Sequence, residues 1–186
     1  MPGPVSGEYH IFIKNPQYRG IKNTTQAAMA LFGNPERTLR EGDTIPSFTL
    51  KDQDGKPVNL PEELGENGAV IFFYPKDDSP VCTKEACAFR DHYEEFTTAG
   101  VHIIGINSGS VESHKKFRQK YHLPFTLLSD PDNKVLKRFG IKNMLFLTGR
   151  ETFVVDKRGE VVYRFRDLFR AGNHIREALK ALKLLD

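Results

Sequence analysis

Residues 69–74, Ala-Val-Ile-Phe-Phe-Tyr, form an unbroken apolar run that stops at Pro75. A strand with one face in water alternates polar and apolar side chains, so a short run without alternation belongs to a strand buried on both faces. Such a strand needs helices on both sides of its sheet, and the chain supplies them. Pro80, the helix formers of KEACAFRDHYEEF and Gly100 just past the end predict one helix over residues 80–97. VHIIGIN (101–107), VESHKKFRQKY (111–121), FTLLSD (125–130) and DNKVLKRFG (132–140) then read as strand, helix, strand and helix. This alternation predicts an α/β fold with largely parallel central strands. The flanks differ. SFTL and VNL surround the turn KDQDGKP, while TFVVD and VVYRFR enclose DKRGE, a hairpin with Gly159 in its turn. A C-terminal helix, NHIREALKALKLL, follows, and the expected sheet is mixed.

At 186 residues and 39% hydrophobic, the chain has material for one compact domain with a real core. Residues 43–186 are assigned to it. Residues 1–42 show no clear alternation beyond a short helical candidate, TTQAAMALF, and are read as an N-terminal extension, either a targeting remnant or a packed arm. The net charge of +3 arises in residues 9–35, where Lys14, Arg19 and Lys22 meet no acid. The rest of the chain is balanced, which argues against nucleic-acid binding. No apolar run is long enough to span a bilayer, and two cysteines are too few for a secreted disulfide scaffold, so an intracellular protein without a membrane role is expected. The acid-free segment has the charge bias of an organelle presequence, which points to a plastid or other organelle, with the cytoplasm as the alternative.

Both cysteines, Cys82 and Cys87, lie in SPVCTKEAC. Cys82 falls in the first turn of the expected helix, just beyond the carboxyl end of strand 69–74, where α/β sheets place their sites. Helix N-termini stabilise anions, and a thiolate is the reactive form of cysteine. The five-residue spacing matches neither a zinc pair nor Cys-x-x-Cys. Cys82, Cys87 and His92 are stepped by about 140° around a helix and share no face. His10, His102, His114, His122 and His174 are scattered without a local signature and read as solvated or locally satisfied. Asp130 and Asp132 read as turn and helix-start residues, and the DQDG at 52–55 as a hairpin turn. No metal and no cofactor is assigned.

The wider pattern is Pro75-Lys-Asp-Asp-Ser79-Pro-Val-Cys82-Thr-Lys-Glu85, with Arg150 ahead of the late strand in GRETFVVD. It resembles the peroxiredoxins, whose P-x-x-x-[T/S]-x-x-C spacing is met by Pro75, Ser79 and Cys82. FYPKD, CTKEACAFRD and the second cysteine five residues on resemble the peroxiredoxin Q group, also called bacterioferritin comigratory proteins. The likeness covers residues 43–186. Ser79 stands where this group more often has Thr, and Val81 where it often has Gly. The resemblance implies a thioredoxin-like fold, reduction of hydrogen peroxide and organic hydroperoxides, a peroxidatic Cys82 and a resolving Cys87 joined in an intramolecular disulfide, recycling by thioredoxin or a similar dithiol protein, and a monomer. The chemistry suits these residue types. Ser79 can donate or accept a hydrogen bond at the peroxide, Arg150 can face both sulfur and oxygen, and Pro75 can shield the site or simply end the strand. Glu85 either orients Arg150 or serves as a first-turn acid. Arg150 reaches Cys82 only if strand 152–156 runs antiparallel to strand 69–74.

On one helix, residues five apart have Cα atoms about 8.6 Å apart, beyond the roughly 7 Å that a disulfide tolerates. A bond between Cys82 and Cys87 therefore requires the helix to unwind locally. Two other classes fit the same thiols: a redox-responsive binding module and a general thiol-disulfide oxidoreductase, the latter opposed by the absence of Cys-x-x-Cys.

Overall fold

The apolar run lies at the centre of the molecule as strand β3 (Gly68–Phe73), every residue of which is buried. The computed structural model describes residues 37–143 and 149–185. Around β3 stand β1 (Phe48–Asp52), β2 (Pro57–Leu60), β4 (Val101–Asn107), β5 (Thr126–Ser129), β6 (Glu151–Asp156) and β7 (Val161–Phe165), in the order β2-β1-β5-β4-β3-β6-β7. The helices are α1 (Pro80–Asp91), α2 (Tyr93–Thr98), α3 (Val111–Tyr121), α4 (Lys134–Arg138) and α5 (Ala171–Ala181). β3, β4 and β5 are parallel, and all other neighbours are antiparallel, so the sheet is mixed as expected.

Because side chains alternate along a strand, β3 feeds two cores. Ala69, Ile71 and Phe73 meet Val135, Leu136 and Phe139 on one face. Val70, Phe72 and Tyr74 meet Cys82, Ala86 and Phe89 of α1, Phe96, Phe117 and Ile175 on the other. Each buried aromatic of this kind contributes on the order of 1.5–3 kcal/mol, so α1 is held against the sheet chiefly by Phe89, which stacks on Phe72 at 4.6 Å. At the start of β3, Gly68 has φ 131°, and a Cβ there would strike the Val155 carbonyl oxygen. Only glycine lets β3 and β6 pair at that point.

The expected single helix over 80–97 is two helices. His92 leaves helical geometry at φ −112°, ψ 16°, and its Nδ1 turns to the Glu95 carboxylate at 2.7 Å. No glycine or proline announces that break. The turn readings at 51–57 and 156–160 hold, with Gly55 and Gly159 both at φ 80°. Asp130 accepts from the amides of Val135 (3.0 Å) and Leu136 (2.9 Å), which starts α4. The helical candidate TTQAAMALF lies outside the described residues. Residues 37–42 pack against the domain: Leu39 is buried and donates its N–H to the Phe139 carbonyl, and Gly42 donates to that of Val161.

Candidate active site

After β3 the chain passes Tyr74 and Pro75 and forms a loop that is tied down before α1 begins. Asp77 makes the main knot. Its carboxylate accepts from Tyr74 Oη (2.8 Å), Asn107 Nδ2 (2.9 Å), Ser113 Oγ (2.6 Å) and His114 Nδ1 (2.8 Å). Burial pushes the Asp77 carboxyl up, but the His114, Ser113 and Tyr74 hydrogen bonds outweigh it and hold the group below its ordinary value. Asp78, at φ 58°, pairs with Lys120 at 2.6 Å. The loop is thus bonded to both β4 and α3, which sets the direction in which α1 starts.

Ser79 is the N-cap of α1, in extended geometry at φ −79°, ψ 146°, and Pro80 follows at the first helical position. The Ser79 hydroxyl donates to the Lys76 carbonyl at 3.1 Å, which leaves its lone pairs free to accept. Pro75 is half-buried between β3 and this loop. Cys82 occupies the third helical position with 1% of its surface exposed. Cys87 lies on the same helix, half-buried, and both thiols are free.

Antiparallel pairing of β6 with β3 sets Glu151 opposite Phe73, so Arg150 stands beside the carboxyl end of β3. Its Nη2 lies 3.1 Å from Cys82 Sγ, and its Nη1 pairs with Glu85 Oε2. Glu85, one turn beyond Cys82, is wholly buried and faces Arg150 instead of solvent. The structure therefore brings Cys82, Glu85 and Arg150 into one buried cluster, with Ser79 at the head of the same helix.

Two neighbours, His174 and Tyr74, are not among the site residues read from the sequence. His174, on α5, is fully buried, and its Nε2 donates to the Asp167 carbonyl at 2.7 Å. Its Nδ1 then accepts from the Thr152 hydroxyl, also at 2.7 Å. Burial, with Arg150 adding to it, pushes this imidazole down to about 4. Glu85 Oε1 lies 3.6 Å from the same Nδ1. The phenol of Tyr74, close to Cys82, is held well above its usual value, first by burial and then by the Asp77 charge.

A nearly enclosed sulfur at a helix N-terminus, faced by a guanidinium that a carboxylate holds in place, can act as a nucleophile toward a small electrophile and stabilise negative charge leaving it. On this fold, such a site defines a thioredoxin-like thiol peroxidase. The chain belongs to the AhpC/TSA family, whose model matches residues 42–164. It is 47% identical over 180 residues to the chloroplastic peroxiredoxin Q of Sedum lineare, covering 91% of this chain and 95% of that one. It is 50% identical over 147 residues to the chloroplastic peroxiredoxin Q of Arabidopsis thaliana, covering 78% of this chain and 68% of that one. Among solved structures, peroxidoxin BcpB of Mycobacterium tuberculosis matches with a TM-score of 0.74 at 36% identity, over 80% of this chain and 99% of that one. A bacterioferritin comigratory protein of Xanthomonas campestris, studied for alkyl peroxide reduction, matches with a TM-score of 0.68 at 33% identity, over 74% and 90%. The fold is thioredoxin-like, and the chain is a peroxiredoxin, a peroxidase that uses a thiol.

Proposed function

We propose that Cys82 is the peroxidatic residue and Cys87 the resolving one, in a cycle that reduces hydrogen peroxide and organic hydroperoxides. The observation that carries this reading is the 3.1 Å contact of Arg150 Nη2 with Cys82 Sγ. A cation there favours the anionic sulfur and stays in place to meet the charge that develops on the departing oxygen. The thiolate attacks one peroxide oxygen, the O–O bond breaks, and the other oxygen leaves as alkoxide or hydroxide and takes up a proton. Cys82 is left as a sulfenic acid.

In this reading the remaining site residues divide the work. Arg150 Nε, without a partner among the described residues, and the second N–H on each Nη are the donors left for a peroxide oxygen. Ser79 offers lone pairs to the peroxide hydroxyl, Glu85 orients Arg150, and Pro75 ends β3 and shields the sulfur. With Cys82 and Cys87 both inside α1, the sulfenic acid meets Cys87 only after the first turns of that helix unwind. Cys87 then displaces water, and the resulting disulfide becomes a substrate for a thioredoxin-type dithiol protein.

The same reading has residues 43–186 as the peroxidase domain, acting as a monomer, as its likeness to the peroxiredoxin Q group implies. Neither nucleic acid nor membrane has a part in it; among the described residues no helix is long and apolar enough to cross a membrane. A plastid location is supported by the acid-free segment 9–35 and by relatives named as chloroplastic. The deciding assay is peroxide consumption coupled to NADPH oxidation through a thioredoxin system. Sustained turnover is expected. Stoichiometric oxidation without turnover would favour a redox-responsive binding module, and reduction of a protein disulfide without peroxide use would favour a general oxidoreductase.

A further inference from the structure

Four buried side-chain oxygens have no hydrogen-bond partner among the described residues, those of Thr83, Asn133, Glu151 and Glu85, and the last of these belongs to the cluster around Cys82 and Arg150. Glu85 Oε2 is engaged by Arg150, but Oε1 has no hydrogen-bond partner among the described residues. The polar atom facing it is His174 Nδ1 at 3.6 Å. That nitrogen is an acceptor: Nε2 must donate to the Asp167 carbonyl, so the lone pair is at Nδ1 and already receives the Thr152 hydroxyl. Two acceptors therefore confront each other among wholly buried groups, an arrangement that costs roughly 1–3 kcal/mol unless a proton lies between them.

The charges lead to the same place. With Cys82 as a thiol, Glu85 as a carboxylate and Arg150 as a cation, the buried cluster is neutral. If Cys82 ionises and nothing else changes, two anions share one cation at exposures of 2% or less. Buried charge without compensation is strongly disfavoured. One proton on Glu85 Oε1 restores neutrality and gives the orphaned oxygen a hydrogen to donate to the single lone pair of His174 Nδ1, taking the place of the Thr152 hydroxyl once the 3.6 Å gap closes to hydrogen-bond distance.

We propose that Glu85 and His174 form a proton-holding pair, in which Glu85 becomes a carboxylic acid hydrogen-bonded to His174 when Cys82 becomes a thiolate. The inference rests on Cys82 being the reacting thiol. The balance closes over the cycle. Cys82 gives up one proton and Glu85 gains one, so the cluster stays neutral and Arg150 is left to serve the sulfur. When the thiolate has attacked and the sulfenic acid is neutral, Glu85 returns to carboxylate and one proton is released, the number that the departing alkoxide takes up. His174 is a positioning residue in this scheme. Its own charge never changes, in keeping with burial holding its imidazole down to about 4. The groups that face the pair are Cys82 of α1, Arg150 and Thr152 beside and on β6, the Asp167 carbonyl and, through its charge, the Asp167 carboxylate, and the edge of Phe165 with its ring centre 5.0 Å from that of His174.

Infrared spectroscopy of the reduced protein at neutral pH reads this directly. A protonated carboxylic acid band should be present in wild type while ultraviolet absorbance shows the thiolate, and it should be absent from Glu85→Gln. It should also be absent from Cys82→Ser, where no thiolate supplies the second buried anion that drives Glu85 to hold the proton. A band that persists in Cys82→Ser, or a thiolate formed with no band, overturns the proposal. A second measurement covers variants that fold poorly. His174→Phe fills the space but offers no acceptor, and the thiolate fraction should fall by roughly tenfold, the worth of one buried hydrogen bond. His174→Asn, with an oxygen near the place of Nδ1, should restore it. Equal thiolate fractions in all three proteins also overturn the proposal. Peroxide oxidation of Cys82 is scored in the same samples: an unreactive Cys82 fails the proposed function, whereas a reactive one without the band fails only the proton-holding pair.

Discussion

Arg150 Nη2 stands 3.1 Å from Cys82 Sγ, although one residue precedes a strand and the other begins a helix far earlier in the chain. The meeting depends on sheet direction. Were β6 parallel to β3, Arg150 would lie at the opposite end of the strands, and Cys82 would be an enclosed thiol without a cation.

Arg150→Ala should slow the reaction of Cys82 with hydrogen peroxide by roughly 10²–10³, the usual loss when one donor to a developing oxyanion is removed. Ionisation alone gives less: moving a thiol from ~8.5 to ~6 raises its thiolate fraction at neutral pH only about 30-fold. Stopped-flow rates corrected for thiolate fraction separate the two, and corrected rates equal to wild type would remove Arg150 from the transition state. Arg150→Lys should rescue little, since an ammonium cannot face the sulfur and Glu85 at once with a planar fork.

Much of this arrangement can be read from the sequence. The run 69–74 announces β3, the proline and helix formers after it announce α1, and the hairpin around Gly159 permits the strand direction that Arg150 requires. Glu85 remains ambiguous there, because a first-turn acid and an arginine partner look alike until the pairing of Phe73 with Glu151 fixes where Arg150 stands. His174 is not legible at all. Its role comes from α5 folding back over α1, and nothing local distinguishes it from the half-exposed His92. The break at His92 is likewise silent; Tyr74 and Asp77 stand within FYPKD, but the knot they form is not legible there, because Asn107, Ser113 and His114 come from β4 and α3.

Asp77→Ala should cost about 3 kcal/mol in urea unfolding, because Tyr74, Asn107, Ser113 and His114 all lose a buried acceptor. Peroxide reactivity should fall as well, since the loop that aims α1 loses its anchor. Wild-type stability in Asp77→Ala would show that the knot is replaceable.

Acid should weaken the fold through His174. Its imidazole protonates near 6.5 in the unfolded chain but only near 4 in the folded one, so between these values the unfolded state binds more protons. The stabilising term is complete above about 6.5 and is lost as pH falls toward 4, an effect on the order of 3 kcal/mol. Urea unfolding across that window should show stability rising with pH, with a shallower slope in His174→Asn. An identical slope in both would place the acid sensitivity elsewhere.

Oxidation should unwind the helix that carries both thiols. Amides from Val81 to about Arg90 are expected to lose hydrogen-exchange protection when the disulfide forms and to regain it on reduction. Unchanged protection in a sample shown to contain the Cys82–Cys87 bond would contradict a locally unfolded disulfide state.

The most direct test of the cycle is one-equivalent peroxide oxidation followed by mass-spectrometric mapping of both thiols. Wild type should give a Cys82–Cys87 disulfide within one chain. Cys87→Ser should consume the same first equivalent and accumulate a sulfenic acid at Cys82, and Cys82→Ser should consume none. A Cys87→Ser protein that leaves peroxide untouched, or a first oxidation mapped to Cys87, would contradict the assignment of Cys82 as the peroxidatic thiol.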